Sequence, residues 1–289
     1  MPDRPVFRFA PSPNGALHLG HALSAVVGYE RAKVADGRFL LRVEDIDGGR
    51  ARPEFVAGIF EDLRWLGLEW EEPVVFQSRR MPAYGIAVQR LEALGLLYPC
   101  FATRSEIDAT ATSGETDPDG APLYPGLWKG RSQAEIARLR AAGMPYALRI
   151  DLAAARRMAA DRLGRAPLTF IELEADGRRQ TVEAQPERWG DAVIVRKDVA
   201  TSYHLAVVVD DAWQGVSHVT RGRDLYAATD LHRLLQVLLD LPEPIYHHHR
   251  LIVDEKGRKL AKRARDTSLQ SLREGGARPG EIRRLVGLD

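Results

Sequence analysis

Cysteine is nearly missing from this chain of 289 residues: Cys100 is the only one, so no intrachain disulfide can form. A chain of this length buries enough surface to be held by a packed core instead, and a reducing compartment fits the usage. Net charge is nearly missing too. Forty-one Lys and Arg against 40 Asp and Glu leave +1. That is not the balance of a nucleic-acid coat, although a local basic face remains compatible with it. No apolar run approaches the roughly 20 residues that span a bilayer. Residues 1–9 lack the basic-then-apolar order of a signal peptide. The expectation is a cytoplasmic protein with no membrane contact. There is no internal repeat. Lysine is scarce beside arginine, which reads as genomic bias.

What is present is organised. Val6 to Ala10 reads as a strand, Pro11 to Gly15 as a turn, and Ala16 to Ala35 as a helix with Leu19, Leu23, Val26 and Val27 at helical spacing. Arg38 to Val43 reads as a second strand, so the first 45 residues spell a βαβ unit of a parallel sheet. Helices are predicted over 53–66 and 82–97. Residues 103–130 read as a loop or insertion edge, and 132–185 as alternating helical and strand-like pieces. Val193–Arg196 and the apolar Leu205–Val209 are strand candidates, the second as a buried parallel strand. Helices are predicted again over 224–241 and 269–288.

Two constellations carry chemistry. The first is Pro11 to His21, Pro-Ser-Pro-Asn-Gly-Ala-Leu-His-Leu-Gly-His. A strand running through a turn into a helix start presents free N–H groups and the positive helix end to phosphate. His18 and His21 share one helix face, and Gly20 removes bulk between them where a base or ribose can approach. Taken outside this string, the pair reads as an ordinary capped helix with two surface histidines. The second is Gly257 to Arg263, where Lys256, Arg258, Lys259, Lys262 and Arg263 form a dense cationic loop suited to departing pyrophosphate. Its plain alternative is a solvated or RNA-contacting basic run.

These residues resemble a known family. His18-Leu-Gly-His21 is similar to the first signature of class I aminoacyl-tRNA synthetases, and Lys259-Leu-Ala-Lys-Arg263 to the second. The stretches 8–13, 42–47, 62–68, 77–79, 98–100 and 220–224 narrow the resemblance to the glutamyl group, in order, over residues 5–265. Only 26 residues follow Arg263, too few for an anticodon-binding domain. The chain therefore resembles the truncated glutamyl-queuosine tRNA(Asp) synthetase family, which attaches glutamate to queuosine in the anticodon of tRNA(Asp).

The resemblance implies an α/β fold: a Rossmann-like parallel sheet with an inserted α+β subdomain and a short helical C-terminal extension. The implied divisions are 1–97 and 191–241 for the catalytic halves, 98–190 for the insertion and 242–289 for the signature loop and tail. It implies ATP with Mg²⁺, held by Pro11, Ser12, His18, Gly20, His21, Lys259 and Lys262. Of these, His18, His21, Lys259 and Lys262 are the catalytic set. It implies an L-glutamate pocket of Arg8, Ala10, Ser12, Glu44, Tyr203 and Arg221. The arginines suit carboxylates and Glu44 suits the ammonium; which arginine takes which carboxylate stays open. Arg8 and Glu44 alternatively form a strand-edge salt bridge. The implied partner is tRNA(Asp) bearing queuosine, and the implied state is a monomer. Rival readings are a minimal glutamyl-tRNA synthetase acting on tRNA(Glu), a non-catalytic tRNA- or nucleotide-binding paralogue, and a generic nucleotide binder.

Two departures stand out. Ala261 replaces a common serine. Of a zinc site built from Cys-x-Cys and Tyr-x3-Cys only Cys100 and Tyr124 remain, with Ala102 and Trp128 at the other places. Two ligands do not make a tetrahedral site, so no zinc is expected and Trp128 is expected to fill the volume. His247–His249 alternate along a strand and cannot converge on one ion; a structural or ATP-adjacent role is expected. Asp210–Asp211 reads as a ligand-facing sheet edge or as a plain turn.

Overall fold

The computed structural model describes residues 4–111, 114–252 and 268–288. The first elements are β1 (Val6–Phe9), α1 (Leu19–Val34), β2 (Arg38–Val43), α2 (Pro53–Trp65), β3 (Glu71–Phe76) and α3 (Met81–Ala93). Then come β4 (Leu97–Cys100), α4 (Arg104–Thr110), α5 (Gln133–Ala141), β5 (Ala147–Ile150), α6 (Leu152–Arg162), β6 (Thr169–Leu173), β7 (Arg179–Glu183) and β8 (Val193–Val195). The chain closes with α7 (Tyr203–Trp213), β9 (His218–Gly222), α8 (Ala228–Leu239), β10 (Ile245–His249), α9 (Leu269–Glu274) and α10 (Pro279–Leu285).

The large sheet has the order β3-β2-β1-β9-β10-β6-β7. All its pairings are parallel except the last, where β7 returns antiparallel along β6. β4, β5 and β8 form a separate antiparallel sheet. The βαβ unit read from the first 45 residues is present, with Arg8 opposite Leu40 in parallel register. Gly37 is needed at its turn, because a Cβ there would stand 2.6 Å from the Pro5 carbonyl oxygen. The sheets do not follow a boundary at residue 190: β6 and β7 extend the large sheet, and β8 completes the small one.

Strand alternation sorts the side chains. Phe7, Phe9, Phe39 and Leu41 point to the face covered by α1 and α2, and the tail helices join that cluster through Leu269, Ile282 and Val286. On the other face Val6, Leu40, Val219 and Tyr246 are apolar. Their neighbours in the same alternation, Arg8, Arg42, Arg221 and His248, are polar and buried against α7 and α8. A sheet face that buries four such groups calls for fixed partners, and α7 and α8 supply them.

Leu205–Val209, expected as a strand, instead lies within α7. Five apolar residues in a row suit a buried strand or a helix surrounded on all sides equally well. The deciding signal is Ser202, whose hydroxyl caps the helix by accepting the Leu205 N–H. Leu205, Ala206, Val207 and Val208 are all buried, and each larger side chain contributes roughly 1.5–3 kcal/mol by leaving water. Asp210 and Asp211 therefore mark neither a sheet edge nor a turn; they extend α7. The expected loop at 103–130 holds α4, which starts on a Thr103–Glu106 capping box. No helix among the described residues is long and apolar enough to cross a membrane.

Candidate active site

Chain order along the large sheet reverses at β1, with β2 and β3 on one side and β9 and β10 on the other. Loops leaving β1 and β9 therefore diverge, and the crevice between them is where open parallel sheets bind ligands. A cavity of about 390 Å³ opens there. Arg8, Ala10, Pro11, Ser12, His18, Gly20, His21, Glu44, Tyr203 and Arg221 all line it. These are the sequence candidates brought together. Lys259 and Lys262 lie outside the described residues. The described residues flanking them are at the cleft: Leu251 and Ile252 line it, and the Leu269 N–H donates 2.8 Å to the Leu17 carbonyl beside His18.

His18 is the N-cap of α1. Its Nδ1 accepts the Gly20 N–H at 3.0 Å, and the His18 N–H donates to Nδ1 of His21 at 3.2 Å. A neutral imidazole that accepts through Nδ1 carries its proton on Nε2. Both rings thus turn an Nε2–H donor away from the helix start. Burial lowers the pKa of both, His21 to about 3, with His18 adding to that depression; for His18 the nearby Asp224 partly offsets burial. Two neutral donors at a positive helix end form an anion site without adding full charge. Gly20 serves the cap itself, since a Cβ there would stand 2.9 Å from Cε1 of His18.

Beneath the cleft lies a buried ionic cluster. The Arg8 guanidinium donates to both carboxylate oxygens of Asp211, at 3.0 and 3.3 Å. Arg42 donates to Asp211 at 2.8 Å, to Gln214 at 2.9 Å and to Glu44 at 3.4 Å. Burial alone would raise Asp211, yet Arg8 and Arg42 hold it below its ordinary value. Burial wins at Glu44 and raises it against the pull of Arg42 and Arg8. Arg8, Arg42, Asp211 and Glu44 balance in charge. Arg8 is thus no simple strand-edge bridge to Glu44.

Arg221 differs. Its four hydrogen bonds are Nε to His248 Nε2 at 3.1 Å, Nη1 to His232 Nδ1 at 3.2 Å and to the Tyr203 hydroxyl at 3.4 Å, and Nη2 to the Thr229 hydroxyl at 2.7 Å. Burial is the largest cause holding both histidines well below 6.5, so every one of these partners is neutral. Among the described residues no carboxylate lies within ion-pair distance of Arg221. The cleft therefore holds a buried cation whose counter-ion is missing from its own shell, and such a site selects an anion.

Sequence reasoning gave no role to Arg42, Thr229 or His232, and read Asp211 only as a sheet edge or a turn. Arg42 stood in a quoted motif, and Asp211 was hidden by the misread helix. Of the His247–His249 run, His248 joins the Arg221 shell. His249 faces the cleft with Nε2 at 2.6 Å from the Ser24 hydroxyl, and His247 Nδ1 meets the Leu173 carbonyl. Around Cys100 the thiol donates to the Tyr124 hydroxyl at 3.3 Å, which also receives the Trp128 N–H at 2.8 Å. Trp128 packs against Phe101 with ring centroids 4.9 Å apart. Among the described residues no group of three or more His, Cys, Asp or Glu is placed to hold a metal ion.

Comparison with known proteins agrees with this geometry. The family described as tRNA synthetases class I (E and Q), catalytic domain, matches residues 6–288. A glutamyl-Q tRNA(Asp) synthetase of Rhodobacter capsulatus is 46% identical, covering 98% of this chain and 100% of that protein. A glutamate–tRNA ligase of Synechococcus sp. is 36% identical over 97% of this chain but 57% of its own length. The crystal structure of a glutamate-tRNA synthetase from Elizabethkingia anophelis aligns with a TM-score of 0.70 and 26% identity, covering 91% of this chain and 54% of that one. A crevice at the sheet's switch point, a histidine pair at the start of α1 lining it and a match along nearly the whole sequence converge: the chain belongs to the class I tRNA synthetases (E and Q) and is a ligase.

Proposed function

We propose that the chain activates L-glutamate with ATP as glutamyl-adenylate and transfers the glutamyl group to queuosine in the anticodon of tRNA(Asp). The observation that carries the first step is Arg221, a buried cation on the cleft with only neutral partners. An acidic amino acid supplies its missing counter-ion. Glu44, at the far end of the ionic cluster, is the partner for the ammonium. Arg8, Ala10, Ser12 and Tyr203 complete the pocket.

The α-carboxylate attacks the α-phosphorus of ATP, and pyrophosphate departs. No side-chain nucleophile is required; positioning and electrostatics do the catalysis. His18 and His21 donate through Nε2 to phosphate oxygens, beside the backbone of Pro11, Ser12 and Gly20. Lys259 and Lys262 are assigned to the pyrophosphate. Mg²⁺ bound with ATP would supply charge neutralisation at its phosphates. The Cys100–Tyr124 neighbourhood does not fit zinc: two of four ligand places hold Ala102 and Trp128.

The queuosine acceptor is supported by the relative matched over its full length, which bears that name. The test is charging of tRNA(Asp) with and without queuosine, beside tRNA(Glu). Glutamate incorporated only into the queuosine-bearing tRNA(Asp) supports the proposal. Charging of tRNA(Glu) instead would replace it with the glutamate–tRNA ligase reading.

A further inference from the structure

Beyond the pocket residues, the cage that holds Arg221 has a logic of its own. We infer that Thr229, His232 and His248 are positioning residues for substrate binding, with Glu172 acting through His248: they fix the Arg221 guanidinium while leaving its charge for the ligand. The inference rests on the reading that Arg221 receives a carboxylate of glutamate.

The hydrogen-bond directions carry the argument. Arginine only donates, so each partner must accept. His248 accepts through Nε2, and its proton therefore sits on Nδ1. That Nδ1–H donates to Oε2 of Glu172 at 2.7 Å, while Oε1 of Glu172 accepts the His248 backbone N–H at 2.8 Å. His232 accepts through Nδ1, so its Nε2–H donates onward to Nδ1 of His204 at 3.2 Å. Thr229, at 0% exposure in the first turn of α8, accepts from Nη2. The Thr229 hydroxyl also lies 3.2 Å from His248 Nε2, and none of the atoms that accept from Arg221 is charged.

This arrangement contrasts with Arg8, which is held by a carboxylate fork and arrives at the cleft already paired. A carboxylate in place of Thr229 would position Arg221 as firmly but would compete with the substrate. Neutral acceptors give the orientation without the competition.

The network makes an unusual single-atom test possible. In Glu172→Gln the backbone N–H of His248 demands the amide oxygen at the Oε1 place. The amide NH₂ is then forced to face His248 Nδ1. That ring must accept there, so its proton moves to Nε2, where the Thr229 hydroxyl at 3.2 Å can accept it, and the Arg221 Nε–H loses its acceptor. Thr229→Val removes a second acceptor with little change of shape, and Thr229→Ser keeps it.

The assay is glutamate-dependent exchange of pyrophosphate into ATP, with melting temperature measured alongside. Glu172→Gln and Thr229→Val are expected to raise the KM for glutamate at least about ten-fold, the size of one lost hydrogen bond to a charged group. The KM for ATP and the melting temperature stay near those of the parent, and Thr229→Ser stays close to the parent in all respects. A glutamate KM within about two-fold in both variants overturns the inference. So does a joint fall of ATP affinity, rate and melting temperature, which marks a purely structural role. Arg221→Ala separates the two levels: if it leaves the glutamate KM unchanged, the pocket reading fails first and the cage falls with it. If only Arg221→Ala is damaging, the pocket stands and the cage does not.

Discussion

His18 illustrates how one residue serves structure and chemistry through different atoms. Its Nδ1 caps α1, and in the proposed function its Nε2–H is left for the ligand. Asparagine places an acceptor near Nδ1 and is itself a favoured N-cap, but it reaches no donor to the Nε2 position. His18→Asn is therefore expected to keep the melting temperature close to the parent while lowering pyrophosphate exchange by about a hundred-fold, the typical effect of removing one donor to a transition state. Equal loss of stability and activity would show the residue to be a cap only. The glycine between the histidines was legible as a requirement, but its reason was not. The sequence suggested space for a nucleotide, whereas the close neighbour is the His18 ring itself. Residue identity signals that a position is special; only geometry says what it accommodates.

At the scale of elements, the βαβ start was readable because periodicity, turn residues and strand composition agreed. Leu205–Val209 was not, because a short apolar run carries no period, and Ser202 is a weak signal until its hydroxyl is seen to accept the Leu205 N–H. That one misreading hid Asp211, and with it the ionic floor of the cleft. The tail helices were predicted as helical, yet their docking was invisible in sequence. Arg273 of α9 reaches Glu61 at 3.0 Å and the buried Asp62 at 3.3 Å on α2. Burial pushes Asp62 up to about 6, with Arg273 holding it down in part. Removing only Arg273 leaves a buried carboxylate unpaired, which typically costs about 3–5 kcal/mol. Arg273→Met is thus expected to lower stability in denaturant titrations at pH 8, and the double variant Asp62→Asn with Arg273→Met to recover most of it. A double variant no more stable than Arg273→Met alone would mean that the tail is held by its apolar contacts. Since Ser268 and Leu269 abut His18 and Leu17, loosening α9 is felt at the cleft.

Across the whole molecule, all eight histidines are held below the ordinary value of 6.5, burial being the largest cause at each. As pH falls through 6.5 the unfolded chain takes up protons that the folded chain refuses, so stability falls with pH. Asp62, Glu44, Asp119, Glu172 and Asp230 are raised by burial and act in the opposite sense, but five carboxyls face eight imidazoles. The denaturation midpoint is expected to be lower at pH 5.5 than at pH 7.5; an equal or higher midpoint would mean that the histidines protonate in the folded protein.

All of this converges on one cleft, which the α1 histidine pair and Arg221, with no carboxylate at ion-pair distance among the described residues, both line. Pyrophosphate exchange into ATP, run without tRNA and with glutamate, glutamine, aspartate and methionine in parallel, tests that directly. The account predicts exchange with glutamate alone, lost in Arg221→Ala. Exchange with glutamine as strong as with glutamate, or no exchange with any of the four, would contradict it.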